Sequence, residues 1–296
     1  MMEYIPAKQL LSSYTSGDGW FGANYVINLY KGCNHGCIYC DSRSECYQIE
    51  DFDKVRAKKD ALQILESELI KKRKKGIISN GAMSDPYTAF EKVYEITRDA
   101  LKLILKYGFG ASLLTKSDLI LRDLDILSQI KRHSEVMVKF TITTYDDALC
   151  RLLEPHAPLS SERFKALKAC SDKGIFTGIL LMPILPFIND TEENIRNIVI
   201  EAAKCGADFV VPFFSVTLRQ NQRFYYYRQL DRLFPGLKKK YIKTYQDAYE
   251  CVSPSYANLY KVAIEECERY GLLYKMADVT RALRAQHNNQ LSLFEC

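Results

Sequence analysis

A cysteine-rich segment, NLYKGCNHGCIYCDSR, occupies residues Asn28 to Arg43. Three of the ten cysteines in the chain, Cys33, Cys37 and Cys40, fall within eight residues of this segment. In a reducing compartment such a tight group of thiols is more often a metal site than a set of disulfide partners. The other seven cysteines are scattered along the chain, as small buried hydrophobic side chains usually are. The segment therefore predicts a metal centre.

The spacing leaves two kinds of metal centre open. A structural zinc ion needs four ligands, usually as two separated pairs, so zinc here would have to recruit His35 or Cys46. A cubane iron–sulfur cluster held by three cysteines keeps one iron open for a further ligand. Gly32 and Gly36 allow the backbone to wrap closely around a bulky group. We expect His35 to position this loop, although a ligand role stays open.

The composition limits the class of protein. The chain has 296 residues, of which 47% are hydrophobic, enough to bury a full core. Lys and Arg number 41 against 36 Asp and Glu, so the net charge of +5 permits a polyanionic partner without requiring one. The longest apolar stretch, Ile175 to Ile188, contains two prolines and is shorter than the roughly 20 residues that cross a bilayer. With no export signal at the N-terminus, we expect a cytoplasmic protein with no membrane partner.

Short β-branched runs alternate with helical patterns along most of the chain. The predicted strands are Tyr25 to Tyr30, Ile77 to Gly81, Ala111 to Thr115, Val136 to Thr143, Phe176 to Met182 and Phe209 to Phe213. The predicted helices between them are Lys54 to Lys75, Phe90 to Tyr107, Leu119 to Arg132, Ser161 to Lys173 and Thr191 to Cys205. This order predicts an α/β fold with a parallel sheet. Because six units are too few for a closed eight-stranded barrel, a partial (β/α)6 TIM-type barrel fits best, with a doubly wound sheet as the alternative.

The pattern changes after Phe214. Helices are predicted over Arg219 to Leu233, Leu237 to Glu250 and Ser255 to Tyr270. We therefore expect an N-terminal segment (1–24), the partial barrel (25–214) and a C-terminal helical extension packed on the barrel (215–296). Tyr241, Tyr245 and Tyr249 recur every four residues, which predicts one helix face. Packing onto the barrel and stacking on exposed bases are the two interpretations of that face.

The Cys-x3-Cys-x2-Cys spacing, with an aromatic residue just before the last cysteine, resembles the radical S-adenosylmethionine (SAM) superfamily. The resemblance implies a [4Fe–4S] cluster on Cys33, Cys37 and Cys40, whose open iron binds SAM. The reduced cluster then cleaves SAM to methionine and a 5′-deoxyadenosyl radical, which abstracts hydrogen from a substrate. An electron donor such as flavodoxin or ferredoxin is also implied.

Further motifs resemble the spore photoproduct lyase-like group, often labelled DNA repair photolyase-like. They are INLYKGCNHGCIYCDSR, SDPY at Ser84 to Tyr87, TKSDLILRDLDIL from Thr115, EPHAPLSSERF from Glu154 and MPILPFIND from Met182. In the lyases that repair thymine dimers, a cysteine stands before the Ser-Asp pair and donates hydrogen, whereas this chain has Met83. A thioether has no S–H to donate, which argues against dimer repair by that route.

The resemblance also implies contacts with the charged end of SAM. Ser84 and Asp85 follow the second strand, where the superfamily binds the ammonium group, although either residue would also cap the next helix well. Lys116 ends the third strand and is expected to pair with the carboxylate. Arg163 is expected either to hold that carboxylate or to form a buried pair with Glu154.

The remaining SAM contacts concern its apolar and sugar parts. Thr141 and Thr143, two residues apart on the fourth predicted strand, share one face and are expected to reach the ribose. Pro183 and Leu185 have the apolar character expected around adenine, and core packing explains them equally well. Tyr39 is expected to shield the cluster or stack on its ligand.

The sequence leads to two functional hypotheses. The first is a radical SAM enzyme of the lyase-like group. DNA or another nucleic acid is the leading candidate for its substrate, and a protein or a small molecule are the others. The alternative is a non-enzymatic nucleic-acid-binding module that carries zinc or an iron–sulfur cluster.

Overall fold

The structure is a computed structural model that describes residues 2–14 and 19–291. Its strands are β1 (Glu3–Ile5), β2 (Ser12–Ser13), β3 (Tyr25–Ile27), β4 (Tyr30–Lys31), β5 (Arg56–Lys58), β6 (Ile77–Asn80), β7 (Gly110–Thr115), β8 (Val136–Thr141), β9 (Phe176–Leu181), β10 (Phe209–Pro212), β11 (Ser215–Thr217) and β12 (Glu250–Val252).

Eleven α-helices occur in the described ranges. They are α1 (Ala61–Lys71), α2 (Glu91–Tyr94), α3 (Ile96–Lys106), α4 (Leu124–Ile130), α5 (Asp147–Leu153), α6 (Ser160–Asp172), α7 (Glu192–Lys204), α8 (Gln222–Leu233), α9 (Leu237–Tyr245), α10 (Tyr256–Tyr270) and α11 (Met276–Leu291). Short 3-10 helices occur at Trp20–Gly22, Asp41–Arg43, Glu45–Tyr47 and Asp118–Asp123.

The main sheet contains seven strands in the order β10-β9-β8-β7-β6-β3-β2. Strands β3, β6, β7, β8, β9 and β10 pair in parallel, while β2 adds to the edge in the antiparallel direction. Each of the six predicted strands therefore contributes to this sheet, and the sequence order β3-β6-β7-β8-β9-β10 is also the spatial order. The first of them ends at Ile27 instead of Tyr30, which belongs to β4 in the three-stranded sheet. A sheet whose neighbours follow chain order winds in one direction, which is the arrangement of a partial barrel and not of a doubly wound sheet.

The two faces of the sheet are covered differently. On β8, Val136, Val138 and Phe140 belong to the core cluster that includes residues of helices α1, α3, α4, α6 and α7. Met137 points to the opposite, concave face, where it meets Phe21, Phe209 and residues of α11. The segment around Phe21 and α11 therefore closes one end of the barrel, and the site is left to the other end, where the strands finish.

Several predicted boundaries are wrong. The helix predicted over Lys54 to Lys75 begins only at Ala61, because residues 56–58 pair as β5 with β1 and β4. The strand predicted to reach Thr143 ends at Thr141, so Thr143 lies in the loop that follows. Helix α8 begins at Gln222 instead of Arg219. The three-stranded sheet of β1, β5 and β4 and helices α5 and α11 had no counterpart in the prediction.

The tyrosine repeat does not form one helix face. Helix α9 ends at Tyr245, after which Gln246 adopts a positive φ of 48°, and residues 250–252 form β12, which pairs with β11. Tyr249 therefore lies outside the helix and is half exposed. Tyr241 is fully buried, and its hydroxyl donates to the carbonyl oxygen of Pro186 at 2.9 Å. Packing is thus the correct interpretation for Tyr241, and it cannot stack on bases.

Helix α10 of the predicted extension packs against α7 of the barrel. The division at residues 24 and 214 nevertheless stays a prediction, and the last five residues, 292–296, lie outside the described ranges. No helix in the described part of the chain is both long enough and apolar enough to cross a bilayer.

A lysine is buried on the concave face of the barrel. Lys139 on β8 is 0% exposed, and its ammonium group donates to the hydroxyl of Ser112 and lies 5.2 Å from the ring centre of Phe21. Neither neighbour carries a negative charge. Burial therefore lowers the pKa of Lys139 to about 7, because an unpaired charge is poorly solvated there.

Replacing this lysine makes a pH-dependent prediction. The pKa of an unfolded lysine is about 10.4, so between about pH 7 and pH 10.4 the unfolded chain binds more protons at Lys139, and the stability of the wild type rises with pH. We expect Lys139→Met to be more stable than the wild type near neutral pH, and its advantage to shrink by about 1.5 kcal/mol between about pH 7 and about pH 8.5. Urea unfolding of the apoprotein at both pH values measures this. The exposed Lys165→Met serves as the control, and an advantage of Lys139→Met that is the same at both pH values would contradict the buried neutral amine.

Candidate metal and cofactor site

The segment 28–43, here named the cluster loop, follows β3 at the carboxyl edge of the sheet. Two of its glycines are required by the backbone path. Gly32 has a φ of +83°, and a Cβ there would lie 2.8 Å from the carbonyl oxygen of Phe52. Gly36 has a φ of +74°, and its Cβ would lie 3.0 Å from atoms of Pro155 and His156. The loop can follow this tight path only because these positions have no side chain.

Backbone hydrogen bonds tie the cluster loop to three other parts of the chain. They are Gly32 N to Met83 O (3.2 Å), Cys33 N to Phe52 O (2.8 Å), Ile38 N to Leu153 O (2.9 Å) and His156 N to His35 O (3.0 Å). The hydroxyl of Ser42 adds a bond to the carbonyl oxygen of Ala82 at 2.5 Å. These bonds set the positions of the cysteines, which lie between the bonded residues.

The C-terminal extension holds the far end of the loop. Gln222 is 0% exposed, and its side-chain nitrogen donates to the carbonyl oxygen of Tyr39 at 3.1 Å. Its side-chain oxygen accepts from the backbone N–H of Arg219 at 3.0 Å. The hydroxyl of Thr217 lies 3.1 Å from the carboxylate of Asp41, and so does Nε of Arg219. The peptide group just before Cys40 is therefore fixed from the extension.

The three thiols of the loop suit an iron–sulfur cluster. Cys33 and Cys37 are buried, Cys40 is half-buried, and all three are free of disulfides. Burial raises the pKa of Cys33 to about 12, and the nearby Cys40 adds to the rise through charge repulsion. Burial likewise raises the pKa of Cys37. Three thiols on one short loop are soft ligands for iron, and they must lose their protons when the metal binds.

A single zinc ion fits the site less well. Within residues 2–14 and 19–291, no three His, Cys, Asp or Glu side chains are arranged to hold one metal ion. Nε2 of His35 lies 3.3 Å from a carboxylate oxygen of Asp85. Cys46 is exposed, and its sulfur lies 3.0 Å from the guanidinium of Arg219. Both proposed fourth ligands therefore already have other partners.

Asp85 connects the cluster loop to the ends of β6 and β7. Its carboxylate oxygens accept from the Thr115 hydroxyl at 2.6 Å, the Lys116 N–H at 2.8 Å and the Tyr87 N–H at 2.8 Å, and His35 supplies a fourth neighbour. Burial would raise the pKa of Asp85, but the charge of His35 and these hydrogen bonds lower it to about 2. A carboxylate has about four acceptor positions, so Asp85 has none to spare. Its predicted contact with SAM stays a prediction, while the geometry shows a positioning role.

A buried ion pair lies behind the loop. Glu154 is hydrogen-bonded by the Tyr39 hydroxyl and paired with the guanidinium of Arg163, which is fully buried. Arg163 also donates to the carbonyl oxygens of Thr141 and Pro158, each at 2.9 Å. Burial would raise the pKa of Glu154, but the charges of Arg163 and Lys116 lower it. The structure thus shows the buried pair, one of the two arrangements expected for Arg163, and it orients Tyr39.

Lys116 is a cation at this edge. Its ammonium nitrogen lies 5.6 Å from the ring centre of Tyr39 and has no hydrogen bond or ion pair with a described residue. Burial would lower the pKa of Lys116, but the charges of Cys37 and Glu154 raise it. A half-buried cation that faces the thiols is well placed to receive an anionic group.

The other residues predicted to contact SAM lie at separate positions around the same edge of the sheet. Thr143 is buried, and its hydroxyl has no hydrogen-bond partner, whereas Thr141 ends β8 beside Arg163. Leu185 is buried in the apolar cluster that contains Cys37 and Tyr39, and Pro183 is half-buried. The hydroxyl of Ser84 makes only a long contact, 3.2 Å, with the carbonyl oxygen of Asp85.

One positioning residue was missed from the sequence. Gln222 reaches Tyr39 across 183 residues of chain, and nothing in the local pattern of α8 indicates such a link. No signal in one sequence would have found it.

Residues 27–199, more than half of the chain, match the Radical SAM superfamily. The chain belongs to the radical SAM superfamily. An uncharacterized protein of Methanocaldococcus jannaschii, MJ0683, is 34% identical over 236 residues, which are 78% of this chain and 80% of that protein.

Solved radical SAM structures share the fold. Spore photoproduct lyase complexed with dinucleoside spore photoproduct aligns with a TM-score of 0.63 at 14% identity, covering 90% of this chain and 79% of that chain. A variant of that lyase with bound AdoMet and the same dinucleoside aligns equally well, with a TM-score of 0.63 at 14% identity over 90% and 79% of the two chains. The predicted family and the α/β partial-barrel fold are thus confirmed, and the radical SAM protein is an enzyme. The non-enzymatic alternative is not supported.

The ligand set makes a prediction. We expect Cys33→Ala, Cys37→Ala and Cys40→Ala each to lose most of the iron and sulfide after anaerobic reconstitution, because no neighbouring thiol can replace the missing ligand. Cys46→Ala, the matched control, should keep the wild-type content, since its sulfur contacts Arg219. Chemical iron and sulfide analysis measures both. Loss of the cluster from Cys46→Ala, with retention in Cys40→Ala, would refute this ligand set.

Proposed function

We propose that this chain is a radical SAM enzyme of the spore photoproduct lyase-like group that acts on a nucleic acid. The observation that carries the radical chemistry is the set of three thiols, two buried and one half-buried, on one loop at the mouth of the barrel, beside the ammonium group of Lys116. When bound, a [4Fe–4S] cluster supplies the electron that splits SAM into methionine and a 5′-deoxyadenosyl radical, which abstracts hydrogen from the substrate.

The residues of the chain would divide the binding of SAM between them. Lys116 is the donor for the carboxylate, because its ammonium group lies beside the thiols and has no hydrogen bond or ion pair with any residue that the structure describes. The unpartnered hydroxyl of Thr143, with Thr141 nearby, is available to the ribose. Pro183 and Leu185 line the apolar side, where adenine would lie, and Ser84 contributes a weakly held hydroxyl for the ammonium end. Tyr39 shields the cluster and the SAM bound to it.

Asp85 and Arg163 act through other residues. Asp85 holds His35 and the backbone of Lys116, so it sets the distance between the cluster loop and the end of β7. Arg163 holds Glu154, which in turn holds the ring of Tyr39. Removing one partner of such a buried pair leaves a charge without compensation, which typically costs about 3–5 kcal/mol. We therefore infer positioning roles for both residues.

A nucleic acid is the substrate class that the comparisons favour. The lyase with the same fold is solved with a dinucleoside photoproduct, and the net charge of +5 of this chain is compatible with phosphate. Of the C-terminal tyrosines, Tyr249 is the one best placed for stacking, since it is half exposed and lies 5.2 Å from the guanidinium of Arg219 beside the cluster loop. Met83 has no S–H to donate, so we infer a reaction other than thymine dimer reversal by a cysteine.

The proposed chemistry also indicates an electron donor and a cellular compartment. The cleavage of SAM needs an electron that the chain itself does not supply, so a separate donor such as flavodoxin or ferredoxin is required to reduce the cluster. We place the reaction in the cytoplasm, because the predicted cluster needs a reducing compartment.

The test of the radical chemistry is formation of 5′-deoxyadenosine. We expect the anaerobically reconstituted protein, reduced with dithionite, to release 5′-deoxyadenosine from SAM, detected by liquid chromatography and mass spectrometry. Lys116→Met should keep its iron but bind SAM about 10- to 100-fold more weakly, because a charge-assisted hydrogen bond is worth about 1.5–3 kcal/mol. Lys165→Met, on the exposed face of α6, is the control. No 5′-deoxyadenosine from a fully loaded wild type would sink the proposed activity.

The nucleic-acid substrate makes a separate prediction. Binding of single-stranded DNA, measured by fluorescence anisotropy, should weaken steeply with added salt, because Lys and Arg release counterions from the phosphates. Tyr249→Leu should lower the affinity by about 5- to 100-fold without changing the salt dependence, since stacking is worth about 1–3 kcal/mol per base. Tyr260→Leu, on α10, is the control. Absence of binding at low salt would point to a protein or small-molecule substrate, and efficient dimer reversal would require another hydrogen donor.

A further inference from the structure

The loop after β9 contains a buried asparagine that the proposed function does not use. Asn189 belongs to the MPILPFIND motif and is 1% exposed. Its side-chain nitrogen donates to the carbonyl oxygen of Thr143 at 2.7 Å, and its side-chain oxygen accepts from the backbone N–H of Leu185 at 2.6 Å. One side chain therefore joins the loop after β8 to the loop after β9.

This link lies just beyond the point where the two strands stop pairing. Strands β8 and β9 are in register up to Thr141 and Leu180, and the N–H of Ile142 adds a last bond to the carbonyl oxygen of Leu180 at 3.3 Å. Farther along, no backbone hydrogen bond joins the two loops within the described part of the chain. The amide of Asn189 thus takes over from the sheet in holding the two strand ends together.

The neighbouring groups decide which way the amide of Asn189 points. A backbone N–H can only donate and a carbonyl oxygen can only accept, so the amide oxygen must face Leu185 and the nitrogen must face Thr143. Asn194 on α7 also donates to the carbonyl oxygen of Thr143, at 3.0 Å. Both acceptor positions of that carbonyl are then occupied, which fixes the direction of the peptide group after Thr143.

The two loops differ in how else they are held. In the loop after β9, the carboxylate of Asp190 accepts from the hydroxyl of Ser253 at 2.6 Å, which ties this loop to the C-terminal extension. The hydrogen bonds that residues 143–145 make to other described segments end on Asn189 and Asn194. Loss of Asn189 is therefore expected to shift the loop after β8 more than the loop after β9.

We propose that Asn189 is a positioning residue that sets the distance between the ribose contact and the adenine contact of SAM. The proposal rests on the SAM-binding roles proposed above for Thr143 and Leu185. Ribose and adenine are joined by one covalent bond, so their distance is fixed, and a shift of Thr143 relative to Leu185 would weaken one of the two contacts. The methionine end is independent of this link, because Lys116 follows β7 and its N–H is held by Asp85.

The test uses the two halves of SAM as separate probes. Methionine carries the carboxylate and the ammonium group, whereas 5′-deoxyadenosine carries the ribose and the adenine. Equilibrium dialysis of each labelled probe against the anaerobically reconstituted protein gives one affinity for each half.

Two variants of different shape remove the link. Asn189→Ala removes the whole amide, and Asn189→Asp keeps an oxygen for Leu185 but has no N–H for Thr143. The matched control is Asn197→Ala, because Asn197 is half-buried on α7 and its side chain makes no hydrogen bond with a described residue. Lys116→Met serves as the opposite case, in which the methionine end is changed.

We expect both Asn189 variants to bind 5′-deoxyadenosine about 5- to 30-fold more weakly than the wild type, because a buried hydrogen bond is lost and its partner is left unpaired. Their affinity for methionine and their iron content should equal those of the wild type, which also shows that they fold. Lys116→Met should show the reverse, with weaker methionine binding and unchanged 5′-deoxyadenosine binding. Asn197→Ala should match the wild type with both probes.

Four results would overturn the proposal. They are unchanged 5′-deoxyadenosine binding in both Asn189 variants, equal weakening of both probes, the same weakening in Asn197→Ala, and loss of iron from both Asn189 variants, which would make Asn189 a folding residue. Failure of the proposed function itself would appear separately, as a loaded wild type that binds neither probe or makes no 5′-deoxyadenosine from SAM.

Discussion

Holding three thiols close together in a short loop is the constraint on which the site depends. Thiolates repel one another, and burial makes their ionisation still less favourable, as the raised pKa values of Cys33 and Cys37 show. The loop does not relax away because it is bonded on every side, to the segment after β6, to Phe52, to the end of α5 and to Gln222 of the extension. Local sequence supplies the thiols, and distant sequence keeps them together.

The charged groups around the loop are of two kinds, carboxylates with protein partners and a cation without one among the described residues. Asp85 and Glu154, both carboxylates, are satisfied by protein groups, and each fixes a residue of the cluster loop, His35 and Tyr39 respectively. The backbone N–H of Lys116 donates to Asp85, and its ammonium group, which the charge of Glu154 favours, has no ion-pair or hydrogen-bond partner among the described residues. An arrangement in which the anions are satisfied and one cation is left over is suited to receive an anionic ligand next to the metal.

The C-terminal extension has a different role from the one that its composition indicates. Its tyrosines are numerous enough to indicate nucleic-acid stacking, yet Tyr241 is buried against Pro186 and helix α9 ends before Tyr249. The side chains of the extension that reach the site are polar: Thr217, Arg219 and Gln222 hold Asp41 and Tyr39. The extension thus holds the cluster loop in place.

The sequence by itself determined the sheet and the family, and it predicts the metal ligands. Hydrophobic alternation and cysteine spacing are local, so the six parallel strands and the Cys33, Cys37 and Cys40 set were predictable from short windows. The ends of strands and helices were less predictable from short windows, because β5 and β12 form by pairing with distant strands and not by local preference. Only the tertiary structure decided the partners of the polar side chains. Whether Arg163 meets Glu154 or a ligand, and whether Lys116 is free, depends on contacts between residues far apart in the chain, where burial makes each unpaired charge costly.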